Sequence, residues 1–505
     1  MSIQIFLQGK LLGIREFLSS PAQANPPFDQ QPSERLFAGR SWWISLLGEM
    51  LPRALLAELG LSNILLGSSG GGQFLVVLPQ AYEPKAEEFL VAAAADIARL
   101  SGGHLQLVWA VTENLGDWAV VRRRIRESMA ARRGTPARNG VATLFSPGNL
   151  AQSDNSGQYF ADLSVTLIEQ KYVGWSPETP GLVLAGAGQA KHTWALGSDP
   201  DQILFTRHVA LADDGVVAID AAALAARAEG ARAWGVLRGD VDNLDLRLRR
   251  VQSIEEHVQL SVLYKQFFAG ELEVLCSMPE FWRKVTVLYS GGDDFAAYGS
   301  WDALIQLGRE MQRLFRRFSE ENLKDFPGGE GKTISMALAL APSSEVPIAS
   351  VFEEAGRMLE DAKCSSRDSF ALLGRVLEWR QVNGASELKD TMVRVVREYG
   401  GSTQFLSELA AFYREEVFSP LSVPRRREGE MEKPWRLHRR VLRALPPTRD
   451  RDLEKLRSSL LVDLVGKNAS QVKLRPAGRV ALEWARLLTA PKVNVANAMS
   501  NQGRG

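Results

Sequence analysis

The chain has almost no cysteine. Among 505 residues only Cys276 and Cys364 carry thiols. Two distant cysteines make no disulfide framework, and they exclude a four-cysteine zinc site, so no zinc is expected. Histidine is also scarce: His104, His192, His208, His257 and His438 are the full set, and none neighbours an aspartate. No apolar run reaches the roughly 18–20 residues needed to span a bilayer. Gln4, Gln8 and Lys10 interrupt the N-terminal apolar stretch, which makes a poor signal peptide. These absences predict a cytoplasmic protein without a membrane partner. An excess of one charge is missing too, with 60 Lys+Arg against 59 Asp+Glu. Hydrophobic content of 45% and charged content of 24% are ordinary for globular domains, and the length predicts three or four of them.

The charge balance hides an asymmetry. Residues 386–505 hold 23 basic and 14 acidic residues, a net of +9, leaving −8 for the rest. Arg425–Arg427, Arg436, Arg439, Arg440 and Arg443 cluster there. A second cluster comprises Arg122–Arg124, Arg126, Arg132, Arg133 and Arg138. Such patches suit an RNA backbone or an RNA-bound partner. They equally suit a solvated face.

The densest chemistry lies at Ser290-Gly291-Gly292-Asp293-Asp294. Strand-like runs flank it at 285–289 and 295–298. Two glycines allow a tight turn with positive φ, and two adjacent carboxylates at the turn can reach a shared ion. A bland turn rich in Gly and Asp is the alternative. About fifty residues upstream, the apolar run 234–239 leads into Asp240-Val241-Asp242-Asn243-Leu244. It reads as a buried strand, with Asp240 and Asp242 leaving on one face. Pairing that strand with the hairpin is expected to converge Asp240, Asp293 and Asp294, and the Val241 carbonyl adds another hard oxygen. Such donors suit Mg²⁺ or Mn²⁺ and leave sites for phosphate. Two ions would sit roughly 3.5–4 Å apart.

Helical spacing follows the hairpin over 301–322 and precedes it between 245 and 281; a further strand is expected over 332–341. The order strand, helix, strand, strand, helix, strand is the ferredoxin-like pattern. A helix over 351–363 ends in Lys363, which either neutralises triphosphate charge or is a solvated helix-terminal lysine. The N-terminal third repeats this unit without its carboxylates. Its first strand is expected at 3–7 or 11–17, a long helix at 34–59, and strands at 63–66 and 74–78 around Ser68-Ser69-Gly70-Gly71-Gly72-Gln73. A helix at 85–100, opened by Pro84, and a strand at 104–111 complete it. The glycine-rich tip can face a second nucleotide or simply pack on the active unit.

With these residues in view, the chain resembles the large subunit of type III CRISPR effector complexes, the cyclic oligoadenylate synthetase subunit of Csm/Cmr type. Gly13-Ile14-Arg15-Glu16-Phe17-Leu18, Leu36-Phe37-Ala38-Gly39-Arg40-Ser41-Trp42-Trp43, Ser69-Gly70-Gly71-Gly72-Gln73-Phe74 and the two carboxylate motifs carry the likeness in order. The resemblance implies an α+β chain with a degenerate palm at 1–115, a linker domain at 116–228, a catalytic GGDD palm at 229–385 and a helical C-terminal domain at 386–505. It implies ATP as substrate, with Asp240, Asp293 and Asp294 catalytic. Ser290, Gly291, Gly292, Asn243, Leu244, Lys363, Ser69, Gly70 and Gly71 would contact nucleotide. The implied partners are guide RNA, target RNA and the other subunits of the complex, especially the one capping the guide RNA 5′ end. Three departures stand out. The first palm starts almost at Met1 and no His-Asp pair is present, so HD nuclease activity is not expected. The cysteine zinc site is missing. Asp245 replaces the glycine that usually follows the DxDNL run. A non-catalytic scaffold of the same complex and a GGDEF-type cyclic dinucleotide synthase are the rival readings.

Overall fold

A computed structural model describes residues 3–20, 33–134, 156–186, 188–199, 201–213, 218–399, 402–413, 434–445, 450–465 and 474–491. Arg138, Arg425–Arg427 and nearly all of the polar loop expected over 134–157 lie outside these residues.

The first βαββαβ unit runs β1 (Gln4–Leu12), α1 (Ile14–Ser19), α2 (Ser33–Glu58), β2 (Leu66–Gly70), β3 (Gln73–Pro79), α3 (Glu83–Leu100) and β4 (Gln106–Glu113). Its sheet order is β2-β3-β1-β4, all antiparallel. Of the two expected first strands, the structure chooses the earlier. Residues 14–17 are helical because Gly13 takes a left-handed φ of 82° and turns the chain, a conformation glycine adopts freely. The strand expected at 63–66 is a 3₁₀ turn over Asn63–Leu65, because the Ser62 side chain accepts from the Ile64 N–H and caps it; β2 starts only at Leu66.

Helices α4 (Trp118–Gly134) and α5 (Ser156–Glu169) follow, then the short strands β5 (Tyr172–Trp175), β6 (Leu184–Ala185) and β7 (His192–Ala195), and α6 (Ala221–Ala226). The second unit comprises β8 (Trp234–Val241), α7 (Leu244–Arg250), α8 (Ile254–Lys265), α9 (Leu272–Cys276), β9 (Val285–Ser290), β10 (Asp294–Ser300), α10 (Trp301–Asn322) and β11 (Ile334–Leu340). The order β11-β8-β10-β9 is again that of a ferredoxin-like sheet. Helix α10 buries Leu304, Leu307, Met311 and Phe315 on one face, and those four side chains account for its place on the sheet. Beyond β11 come α11 (Ile348–Ser365) and the hairpin β12 (Ser369–Leu372) and β13 (Arg375–Glu378), which widens the sheet to six strands.

Helix α12 (Trp379–Glu398) runs across position 386, so the boundary expected there falls inside a helix. Helices α13 (Thr403–Ala410), α14 (Pro434–Ala444), α15 (Arg451–Val465) and α16 (Pro476–Thr489) complete the described chain. Their apolar faces belong to the same core as the second sheet, with Val480, Ala481 and Trp484 buried. The Leu487 carbonyl also accepts from the Ala231 N–H just before β8, at 2.8 Å. Helix α2 joins the two units by packing on the edge of the second sheet, where Trp42 Nε1 donates to the Val287 carbonyl.

Candidate functional site

The two glycine-rich tips face each other where the units meet. A Cβ built on Gly70 or Gly71 would come within 3.7–4.0 Å of the Gly292 backbone. On the second unit, strand pairing sets Asp294 directly opposite Asp240, at the separation of cross-strand neighbours, roughly 4.5–5.5 Å between Cβ atoms. The hairpin closes through Gly291 N–H to the Asp294 carbonyl at 2.7 Å, and Val241 N–H donates to the Asp293 carbonyl at 3.0 Å. The expected reason for the glycines needs correction. Neither Gly291 nor Gly292 has positive φ, whereas Gly70, Gly71 and Gly72 all do. Gly291 instead makes room: a Cβ there would meet Asp294 Oδ1 at 2.2 Å.

The expected convergence of three carboxylates also needs correction. Asp240 and Asp294 line one cavity of about 360 Å³, with Arg238, Tyr289, Gly71 and Gly72. Asp293 lines a different cavity of about 430 Å³ on the far side of the tip. Asp293 lies in the turn just before β10 rather than on the strand, and it lines the far cavity while Asp294 lines the near one. Among the described residues no three His, Cys, Asp or Glu side chains are arranged to hold a metal ion. Asp242, expected on the face of Asp240, is 2% exposed and spent. It accepts from the Thr333 and Ser335 hydroxyls at 2.8 and 2.7 Å and from the Asp368 N–H at 2.9 Å.

The Asp240–Asp294 pair is buried and only partly offset by the cations beside it, Lys363 and Arg238. Burial pushes the Asp240 carboxyl up to about 6, with Lys363 pulling it back and Asp294 adding to the rise. Burial also raises Asp293 and Asp294, the former further through Asp294, Asp240 and Asp245. Lys363 Nζ lies 2.7 Å from Asp240 Oδ1, and the Tyr289 hydroxyl donates to Asp294 Oδ2 at 3.1 Å. Ser290 Oγ is buried without a partner. The two carboxylates are hard oxygen donors, and they fit a divalent cation such as Mg²⁺ or Mn²⁺.

Other expected contacts are dispersed. Asn243 takes a left-handed φ of 58° that turns β8 into α7, and Leu244 is buried against the 430 Å³ cavity. The Ser69 hydroxyl is engaged, donating to Glu49 Oε2 at 2.8 Å. Sequence reasoning overlooked Arg238. It lies two residues before Asp240 on the same strand face, a signal alternation alone supplies. Its guanidinium sits 4.2 Å over the Phe352 ring.

Residues 233–371 match the family Cas10/Cmr2, second palm domain. The chain is 30% identical over 166 residues to the single-strand-specific deoxyribonuclease Cas10/Csm1 (subtype III-A) of Enterococcus italicus, covering 32% of this chain and 20% of that protein. The Mycobacterium tuberculosis protein of the same description is 27% identical over 194 residues, covering 34% and 23%. The matched stretches thus span about a fifth to a quarter of those relatives. In fold, the chain is similar to Csm1 in the Csm1–Csm4 cassette with cA4, with TM-score 0.69, 17% identity, and 96% of this chain and 70% of that one covered. The cassette with AMPPNP gives TM-score 0.66, 18% identity, and 96% and 69% coverage.

Proposed function

This chain belongs to the Cas10/Csm1 family of type III CRISPR large subunits, and from that premise we propose that it builds cyclic oligoadenylate from ATP when its complex engages target RNA. The observation that carries the reading is the Asp240–Asp294 pair. It is buried and directly cross-strand, and its cavity is completed by Gly71 and Gly72 of the other unit.

In this reading Asp240 and Asp294, with the Val241 carbonyl, hold Mg²⁺ or Mn²⁺. When bound, that metal neutralises phosphate charge and activates the attacking hydroxyl. The chain's own residues do the positioning. Gly291 and Gly292 let backbone approach the phosphates. Lys363, exchanged from Asp240, meets triphosphate charge. The first unit, a palm without carboxylates, seats a second nucleotide at Ser69, Gly70 and Gly71. The 3′ hydroxyl of one adenylate attacks the α-phosphate of the next ATP, forming a P–O bond. The bond to pyrophosphate breaks, and the hydroxyl proton passes to water. Residues 116–228 are the linker and the helices from 379 onward the C-terminal domain, which lies with the other subunits, the guide RNA and the target RNA. A subunit in the place Csm4 holds in the similar structures caps the guide RNA 5′ end.

The test incubates the assembled complex with labelled ATP or GTP, with and without target RNA. Ring-closed adenylate and pyrophosphate, dependent on target RNA, support the reading; product from GTP alone would point to a GGDEF-type synthase. The scaffold reading has one observation behind it, the ion pair by which Lys363 already neutralises Asp240. Absence of any product would favour it.

A further inference from the structure

The carboxylate site contains two polar groups that the nucleotidyl-transfer reading leaves without a role, Arg238 on β8 and Tyr289 on β9. Both line its cavity. Strand register brings them together over one small residue. Ala296 on β10 is the cross-strand partner of Arg238 on one side and of Tyr289 on the other. Paired residues share a face of the sheet, so the two side chains meet above the Ala296 methyl. Asp240, two residues after Arg238, and its partner Asp294 lie on that same face.

The contacts form a chain. The Tyr289 hydroxyl donates to Asp294 Oδ2 at 3.1 Å, which leaves its lone pairs to accept from Arg238 Nη2 at 3.5 Å. Asp294 Oδ1 occupies the space that a Cβ on Gly291 would fill, so both oxygens of this carboxylate are fixed. The guanidinium is itself held in place. It lies 4.2 Å over the Phe352 ring, Nη1 reaches the Phe352 carbonyl at 3.5 Å, and a Cβ on Gly356 of α11 would collide with it. The Tyr289 ring packs edge-on against the same Phe352. Nothing in this arrangement favours an arginine for stability. Its two hydrogen bonds exceed the usual range of roughly 2.7–3.2 Å, its Nε is buried without a partner, and it makes no ion pair among the described residues. A buried cation so loosely matched costs stability that an apolar side chain of similar length would not. What it does touch is the hydroxyl that orients Asp294.

We propose that Tyr289 and Arg238 are positioning residues for the metal site: Tyr289 fixes the Asp294 carboxylate in the orientation that receives the ion, and Arg238 fixes the Tyr289 hydroxyl. The proposal rests on the nucleotidyl-transfer reading, but it is read out as metal binding and not as synthesis. Mn²⁺ alone is titrated into the full chain, and the free ion is followed by electron paramagnetic resonance. The site is the part of the binding that Asp294→Asn abolishes. Tyr289→Phe keeps the ring on Phe352 and should weaken this site about 10–100-fold, the scale for losing a partner that orients a metal ligand. Arg238→Met should weaken it in the same sense. The double variant should bind no worse than Tyr289→Phe alone, because the two groups act in series. A purely structural pair would lower the melting temperature and leave Mn²⁺ affinity unchanged. Mn²⁺ binding by Tyr289→Phe within twofold of wild type, a loss in the double variant equal to the product of the single losses, or no Mn²⁺ on the wild type that Asp294→Asn removes would each overturn the proposal. Tyr289→Phe deletes a single oxygen, so it decides the matter where Arg238→Met fails to fold. Failure of the wider reading shows differently, as a complex that makes no cyclic product although its Mn²⁺ site responds to Tyr289→Phe as expected.

Discussion

Glu49 ties the two units together at the glycine tips, and replacing it should loosen both. It lies on α2 of the first unit and is 4% exposed. Its Oε2 accepts from Lys265 Nζ on α8 of the second unit at 2.6 Å, from Arg53 Nη1 at 2.8 Å and from Ser69 Oγ at 2.8 Å. Glu49→Ala leaves Lys265 at the interface without its counter-ion. Breaking one side of a buried pair costs about 3–5 kcal/mol. Lys265 keeps some access to water, its side chain 18% exposed, so the lower figure of about 3 kcal/mol applies. The local opening equilibrium at the interface should then rise roughly a hundredfold. Hydrogen exchange on peptides covering 66–79 and 254–265 reads this directly. Burial raises the Glu49 carboxyl, but Lys265 and Arg53 outweigh burial and hold it below its ordinary 4.5. A depressed carboxylate stabilises the fold above the unfolded value and loses that contribution as pH falls below it. The wild-type protection should therefore fade below pH 4.5 and that of Glu49→Ala should not. Protection unchanged within threefold by the substitution would refute the reasoning.

The same geometry sets three further expectations. Asp242→Ala should cost about 3 kcal/mol by stranding the Thr333 and Ser335 hydroxyls and the Asp368 N–H, whereas Asp294→Asn should stabilise by about 1–2 kcal/mol because it relieves buried like charge; urea melts of the two variants should move in opposite directions. Gly39→Ala should destabilise by about 1–3 kcal/mol through overpacking, since its Cβ would meet the Phe160 carbonyl at 1.8 Å, and the melting temperature should fall. Deleting residues 386–505 should leave the second unit aggregated on size exclusion, because the cut splits α12 and strips Trp484 and its neighbours from the core.

Much of the fold was legible because periodicity reports burial. The runs at 234–241 and 285–300 and the stripe on α10 gave the second unit its strand and helix order, and the glycine tips gave its mate. What escaped was set by local chemistry or by pairing. The Ser62 cap delays β2. The left-handed Leu373 and Gly374 fold the β12–β13 hairpin out of a stretch with no strong alternation. Charge composition suggested a boundary at 386, but α12 is held by apolar contacts that ignore charge. At the site, the sequence placed four aspartates near one another and could not sort them. The turn before β10 puts Asp293 on the other cavity, and Thr333, Ser335 and Asp368 claim Asp242.

The central claim is that the Asp240–Asp294 pair performs nucleotidyl transfer. The most direct test compares wild type with Asp240→Asn plus Asp294→Asn, both assembled with guide RNA and target RNA and given α-labelled ATP and Mg²⁺. The account predicts that the variant assembles normally and that cyclic oligoadenylate and pyrophosphate fall at least about a thousandfold, the scale of losing charge stabilisation at a reacting phosphate. Synthesis by the variant within a few-fold of wild type would contradict it.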